Sequence, residues 1–83
     1  MFYVYILKSK QSGKYYVGSC QDIIKRLALH NSGLVKSTKN YCPWQLVHTE
    51  EYKDLKKARQ RELKIKSWKK RSVIEKLINS SKF

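Results

Sequence analysis

Among the side chains of this sequence that can exchange a proton, stabilise a developing negative charge or bind a metal ion, five are candidates for acting together. They are Tyr5, Tyr16, Arg26, His30 and Glu62. Mg²⁺ often takes only one or two protein carboxylates beside phosphate oxygens, and an arginine aimed at a phosphate stabilises charge that builds on its oxygens. A tyrosine or a histidine can act in proton transfer. Together, these residue types suit the hydrolysis of a phosphodiester.

Glu62 is the most informative of the five because of its surroundings. It is the only acid between Lys56 and Arg71, a stretch with nine basic residues: Lys56, Lys57, Arg59, Arg61, Lys64, Lys66, Lys69, Lys70 and Arg71. At about 100° per residue, it falls within the apolar stripe of the predicted helix, with Leu55, Ala58 and Ile65. Two interpretations stay open. Glu62 is either the structural partner of an inward arginine or of tyrosine hydroxyls, or a ligand of a divalent cation.

The other candidates also have structural explanations. Six tyrosines in so short a chain can simply be amphipathic strand residues. Arg26 and His30 lie four residues apart, which places them on one helix face, and such a face is usually solvated. Their convergence with Glu62 on one concave surface is what would favour a site.

The first two strands must position the tyrosines. Residues 2–8 are apolar or aromatic on both period-2 faces, which indicates a central strand, and residues 14–20 predict a second strand. The intervening SKQSG predicts a hairpin turn. With Lys8 facing Gly13 across a four-residue loop, Tyr5 lies directly opposite Tyr16.

The remaining elements are predicted from caps and periodicity. Asp22 caps a helix with Ile23, Ile24 and Leu27 on its apolar side, which ends near Ser32. A polar and basic loop covers 32–43, and 44–52 predicts a third strand. Asp54 caps a second helix to about Ser67, and a capping box opens a third. Side chains expected on one face of the third strand are Trp44, Leu46, His48 and Tyr52, and the capping box is Ser72 with Glu75.

The predicted order is therefore ββαβαα. It favours an α+β fold with a small three-stranded antiparallel sheet, its first strand central, and helices on both faces. With 83 residues, the chain is expected to form a single domain over 1–83.

Composition indicates the partner. The net charge is +13, which a compact domain tolerates mostly when it meets a polyanion, so nucleic acid is expected. The longest apolar run, Phe2 to Leu7, is far shorter than the roughly 20 residues that span a bilayer, so we expect no membrane and a cytoplasmic location. Cys20 and Cys42 lack the spacing of a zinc site.

The motifs, taken in order, resemble the GIY-YIG nuclease superfamily. The resemblance covers about residues 2–78 and is closest to small stand-alone bacterial members. It rests on the strings YVYIL, YYVGS, DIIKRLALHNSG, KST, PWQLVHTEEY and ARQRELKIKSW. Two positions depart from the family pattern: Val4 stands at a small or Gly position, and Ile74 stands near an asparagine that many members carry.

The resemblance implies a role for each candidate. Tyr16 would be the general base, Arg26 the cation beside the phosphate and Glu62 the ligand of Mg²⁺ or Mn²⁺. Tyr5 would be a hydrogen-bonding member of the site, and His30 could assist proton transfer. Contacts to the DNA backbone are expected from five basic residues: Lys14, Lys36, Lys39, Arg59 and Lys66.

The leading hypothesis is thus a metal-dependent DNA endonuclease. The alternative is a non-catalytic nucleic-acid-binding module with the same fold, which the presence of Tyr16, Arg26 and Glu62 disfavours. RNA binding is weaker still, because the aromatic stacking motifs of RNA modules are not visible. The sequence does not distinguish single-stranded, branched and duplex DNA, and it leaves the oligomeric state open.

Overall fold

The computed structural model describes residues 1–68 and 70–80. Its elements follow the predicted order, with one additional 3₁₀ turn at Lys39–Tyr41 inside the long loop. The strands are β1 (Phe2–Ser9), β2 (Tyr15–Cys20) and β3 (Trp44–Tyr52). The helices are α1 (Ile23–Asn31), α2 (Leu55–Lys66) and α3 (Arg71–Ser80). Lys69, one of the nine cations counted above, lies outside the described residues.

The three strands form one antiparallel sheet in the order β2-β1-β3, which confirms that the first strand is central. Helices cover both faces. On one face, α2 packs Ala58 and Ile65 against Val4, Ile6 and Val17. On the other face, α1 contributes Leu27 to a cluster built from three buried residues: Tyr5, Leu7 and Trp44. The α+β prediction is confirmed, and the sheet is the platform to which both α1 and α2 are fixed.

The predicted hairpin register was wrong by one residue on each strand. Tyr5 pairs with Gly18 instead of Tyr16, and Tyr16 pairs with Leu7. The loop does contain four residues, but they begin one position later, because the Ser9 N–H donates to the Lys14 carbonyl at 2.8 Å. Gly13 ends this loop with a φ of 76°, a conformation that glycine adopts readily. Since the pairing moves by two positions in total, both tyrosines stay on one face, with ring centroids 6.4 Å apart.

The bounds of the third strand were predicted correctly, but the sheet faces on which its side chains lie were not. An irregularity in the pairing of β1 with β3 falls between Ile6 and Leu7. Leu46 consequently pairs with Leu7 on the α1 face, whereas His48 pairs with Ile6 on the α2 face. An extra residue in one strand reverses the alternation beyond it, so Trp44 and Leu46 do not share a face with His48 and Tyr52 as expected.

The helix caps were predicted with mixed success. Asp22 accepts a hydrogen bond from the Lys25 N–H and Asp54 from the Lys56 N–H, so both N-caps are confirmed. Ile24, expected on the apolar side of α1, is instead 83% exposed. The third helix begins at Arg71, which places Ser72 inside the first turn, so the predicted capping box does not form the N-terminus.

An ion-pair network on the α2 face joins this helix to β3. The Arg61 guanidinium donates to both oxygens of Glu50, at 2.8 and 3.1 Å, and the Tyr52 hydroxyl donates to the same carboxylate at 2.7 Å. Burial acts to raise the pKa of Glu50, but hydrogen bonds from Arg61, His48 and Tyr52 lower it to about 2. Glu50 is therefore the carboxylate with the inward arginine and tyrosine hydroxyl that we considered for Glu62.

The Glu50 network predicts a specific loss of stability in acid. A carboxyl with a depressed pKa contributes stability that is complete above its unfolded value of about 4.3 and is lost as the pH falls towards 2, at most about 3 kcal/mol. We expect the difference in unfolding free energy between the wild type and Glu50→Gln to be largest above pH 5 and to shrink as the pH approaches 2. Urea unfolding across this range measures it, and a difference independent of pH would contradict the assignment.

Candidate active site

A single open pocket at the β2 edge of the sheet collects side chains from four elements. Its volume is about 360 Å³. The lining residues are Tyr5, Tyr16, Gly18, Ser19, Arg26, Arg59, Glu62 and Leu63. Four of the five residues chosen from the sequence for chemistry are in this list, and Arg59 is one of the five predicted DNA contacts. Because β2 is an edge strand, the pocket beside it is reached by Arg26 from α1 and by Glu62 from α2.

Tyr5 and Tyr16 differ in their surroundings. Tyr5 is 3% exposed, and burial followed by the neighbouring Tyr16 raises the pKa of Tyr5 far above its ordinary value. Tyr16 is only half-buried at the pocket wall. Tyr5 therefore stays protonated, and Tyr16 is the more exposed of the two tyrosines that line the pocket.

His30 lies behind Tyr5 and does not line the pocket. It is 1% exposed, whereas a helix face shared with Arg26 is usually solvated, and its Nε2 is 3.0 Å from the Tyr5 hydroxyl. Its Nδ1 is 2.8 Å from the Thr38 hydroxyl, which has the Val35 carbonyl as its own acceptor. From these partners we assign the tautomer in which Nδ1–H donates to Thr38 and Nε2 accepts from Tyr5. Burial, followed by the charge of Arg26, lowers the pKa of His30, which favours this neutral form.

Glu62 faces the pocket from α2, as its helical phase predicted. Its side chain is 17% exposed, and within the described residues it forms no hydrogen bond or ion pair with an arginine. The Ser19 hydroxyl donates to Oε1 at 2.6 Å, and the Lys66 ammonium donates to Oε2 at 2.6 Å. Partial burial acts to raise the pKa of Glu62, but the hydrogen bonds from Lys66 and Ser19 outweigh it and hold the pKa below its usual range. Glu62 is thus a charged carboxylate at neutral pH.

The donor set fits a hard divalent cation that keeps most of its own water. Within residues 1–68 and 70–80, no three side chains of His, Cys, Asp or Glu converge into a protein-only metal cage. One anionic oxygen donor at an open pocket is the arrangement in which Mg²⁺ is completed by water and phosphate oxygens. The Ser19 hydroxyl, which belongs to β2, orients the Glu62 carboxylate by donating to it.

Gly18 creates the space that Tyr5 occupies. A Cβ at position 18 would lie 2.5 Å from the Tyr5 hydroxyl oxygen and 2.7 Å from its Cζ. We expect Gly18→Ala to cost about 1 to 3 kcal/mol, because the buried Tyr5 ring must move away from His30. Urea unfolding measures this cost. In a Tyr5→Ala background the obstructing ring is absent and the cost should disappear; an equal cost in both backgrounds would contradict this explanation.

The predicted DNA contacts are distributed unevenly around the site. Arg59 lines the pocket and Lys66 contacts Glu62. Lys14 donates to the Tyr41 hydroxyl at 3.1 Å, with its ammonium 4.3 Å from the ring centroid. Lys36 and Lys39 are exposed beside Thr38 and lie outside the pocket.

Sequence reasoning missed Ser19 and Thr38. Ser19 has a recoverable signal, because strand alternation from Val17 places it on the face that α2 covers. Thr38 lies in a loop without periodicity, and nothing local indicates that it is buried against His30.

Comparisons with known proteins show the family to which the chain is similar. The family model of the GIY-YIG catalytic domain matches residues 1–77. A UPF0213 protein of Staphylococcus saprophyticus is 40% identical over 74 residues, which are 88% of this chain and 89% of that protein. A UPF0213 protein of Halobacterium salinarum is 37% identical over 80% of this chain and 86% of its own length.

A solved structure extends the likeness to the whole fold. The solution NMR structure of a UPF0213 protein from Bacillus halodurans has a TM-score of 0.63 and 32% identity, and the match covers 98% of this chain and 86% of that one. In the part of the chain that the structure describes, no helix has the length and hydropathy needed to cross a bilayer.

Proposed function

The chain belongs to the GIY-YIG catalytic domain family, with UPF0213 proteins among its relatives, and on that premise we propose that it is a metal-dependent endonuclease that hydrolyses DNA phosphodiesters. The observation that carries the proposal is the pocket at β2, because it joins Tyr16, Arg26 and Glu62 from β2, α1 and α2. A protein that only bound nucleic acid through its charge would have no need to bring these three side chains together.

Each residue has a role that its position supports. Tyr16 takes the proton of the attacking water, since it is the tyrosine exposed to the pocket. Arg26 stabilises the negative charge that develops on the non-bridging oxygens of the phosphate. Tyr5 donates to His30 and is held over Gly18, so we assign it to positioning Tyr16, and any assistance of His30 in proton transfer must pass through Tyr5.

Glu62 is the residue that would hold Mg²⁺ or Mn²⁺ in this proposal, with Ser19 orienting the carboxylate. A bound divalent cation supplies positive charge to the phosphate oxygens. Arg59 neutralises a neighbouring phosphate at the pocket, and the exposed lysines at 14, 36 and 39 attract the backbone over a wider surface. None of these contacts reads base identity, so DNA is recognised here by its backbone.

The proposal is tested by incubating the protein with labelled single-stranded, duplex and flap DNA, each with Mg²⁺ or with a chelator. Cleavage that requires the metal and is lost in Arg26→Ala supports the nuclease, and the variant excludes a contaminating enzyme. Salt-dependent binding of all three DNA forms without cleavage would overturn it in favour of the non-catalytic module.

A further inference from the structure

Both oxygens of the Glu62 carboxylate have a donor from the protein itself. Oε1 accepts from the Ser19 hydroxyl and Oε2 accepts from the Lys66 ammonium, each at 2.6 Å. The Lys66 pair is an i,i+4 contact within α2, with the Lys66 side chain 45% exposed and that of Glu62 17% exposed. The proposed metal ligand therefore already carries a full positive charge at one of its two oxygens.

Ser19 and Lys66 differ in how they affect the approach of a cation to the Glu62 carboxylate. Ser19 is neutral and fixed to β2, so its hydroxyl can remain on Oε1 while a cation approaches Oε2. Lys66 carries a unit charge at the position that a cation on Oε2 would take. A carboxylate oxygen can have more than one partner, but two cations held on it at such distances repel each other, and the repulsion grows as their separation falls. A divalent metal and the Lys66 ammonium thus compete for the same oxygen.

We infer that Lys66 is the resident counter-cation of Glu62 in the metal-free protein, and that a divalent cation binds by displacing it from Oε2. The inference rests on the proposed function, in which Glu62 is the metal ligand. Lys66 is a positioning residue in this exchange. Its ammonium is on a flexible stem that is almost half exposed, so it can leave Glu62 without a change in the backbone of α2.

The displaced ammonium has an anionic partner available when DNA is bound. Lys66 follows Glu62 by one helical turn, and Arg59, also on α2, lines the same pocket. A lysine released from Oε2 is therefore close to the place where the phosphodiester must lie. In the exchange, the two positive charges of the metal ion replace the single charge of Lys66 at Glu62. The released lysine then adds to the DNA-binding surface.

Binding of Mn²⁺ to the free protein tests the exchange without any measure of activity. Paramagnetic broadening of the Ser19 and Glu62 amide NMR signals during a titration reports the dissociation constant. We expect Lys66→Met to bind Mn²⁺ about three- to tenfold more tightly than the wild type, because the competing charge is gone. Lys64→Met is the matched control. It removes the same charge from the last turn of α2, but Lys66 and not Lys64 is the lysine bonded to Glu62, so it should change affinity less than twofold.

The side-chain signals of Lys66 give an independent readout. Mg²⁺ should shift the Lys66 ε-carbon signal of the wild type towards its position in Glu62→Gln, where the carboxylate charge is absent. In Glu62→Gln the same titration should leave that signal unchanged. An unchanged Lys66 signal in the wild type, at Mg²⁺ concentrations that abolish the Mn²⁺ broadening by competition, would overturn the exchange.

The outcomes separate this inference from the proposed function. If Glu62→Gln abolishes broadening while Lys66→Met and the wild type bind equally, Glu62 is a ligand but Lys66 is no competitor, and only the exchange fails. If broadening at these amides is the same in Glu62→Gln, or is absent even in Lys66→Met, Glu62 is not a metal ligand and both proposals fail.

Discussion

Tyr16→Phe is expected to reduce the rate of DNA cleavage by at least about 100-fold while the protein remains folded. The substitution removes only the hydroxyl of a side chain that lines the pocket, and the ring keeps its contacts with His30 and Trp44, whose centroids lie 4.8 and 6.2 Å away. Since Tyr5 is buried and held protonated, it cannot replace the missing base. Single-turnover cleavage with saturating protein measures the chemical step apart from DNA binding.

The matched control for this result is Tyr3→Phe. It deletes the same atom from the same sheet, but the Tyr3 hydroxyl donates to Glu51 and does not line the pocket. Tyr3→Phe should cleave at close to the wild-type rate. Equal rates for Tyr16→Phe and the wild type, with unchanged circular dichroism, would remove Tyr16 from the role of base and direct attention to a water held elsewhere in the pocket.

The parts of the fold that the sequence predicted are those determined by local signals. The bounds of β3 and the caps at Asp22 and Asp54 follow from strand composition and from side chains that bond their own backbone neighbours. The hairpin register was not predicted correctly. Two placements of a four-residue loop differ by one position, and both keep the tyrosines on the same face. The position of Gly13 at the end of the loop, where a positive φ is needed, was the signal that distinguishes them.

The sequence predicted the positions of site residues where these follow from the periodicity of a single helix or strand. Helical phase placed Glu62 on the sheet side of α2, and its pocket position agrees. Phase could not say which carboxylate pairs with an arginine. That depends on β3, where the bulge near Ile6 places His48 on the α2 face, which also carries the Glu50 network with Arg61. The depth of His30 likewise depends on Thr38 in a loop with no period.

Glu62→Gln should remove metal-dependent cleavage while leaving stability and DNA affinity nearly intact. The amide is a poorer ligand for a hard cation, so we expect a rate loss of about 100-fold or more. Gln can still accept the Ser19 hydrogen bond, and the lost pair with the half-exposed Lys66 costs no more than about 1 kcal/mol. DNA affinity should be unchanged or higher, because a negative charge beside the phosphate is gone while Lys66 keeps its own. Cleavage, fluorescence anisotropy and thermal unfolding of one variant test all three.

Glu50→Gln makes this experiment decisive, because it is the same substitution at a carboxylate with the opposite role. Glu50 holds Arg61 and lies outside the pocket, so its loss leaves a partly buried guanidinium unpaired and should cost up to about 3 kcal/mol at neutral pH. The two variants should therefore separate: Glu62→Gln stable and inactive, Glu50→Gln less stable but able to cleave below its melting temperature. A Glu62→Gln protein that unfolds as early as Glu50→Gln would make Glu62 structural. A stable one that cleaves at the wild-type rate would rule out metal binding at Glu62 as the source of catalysis.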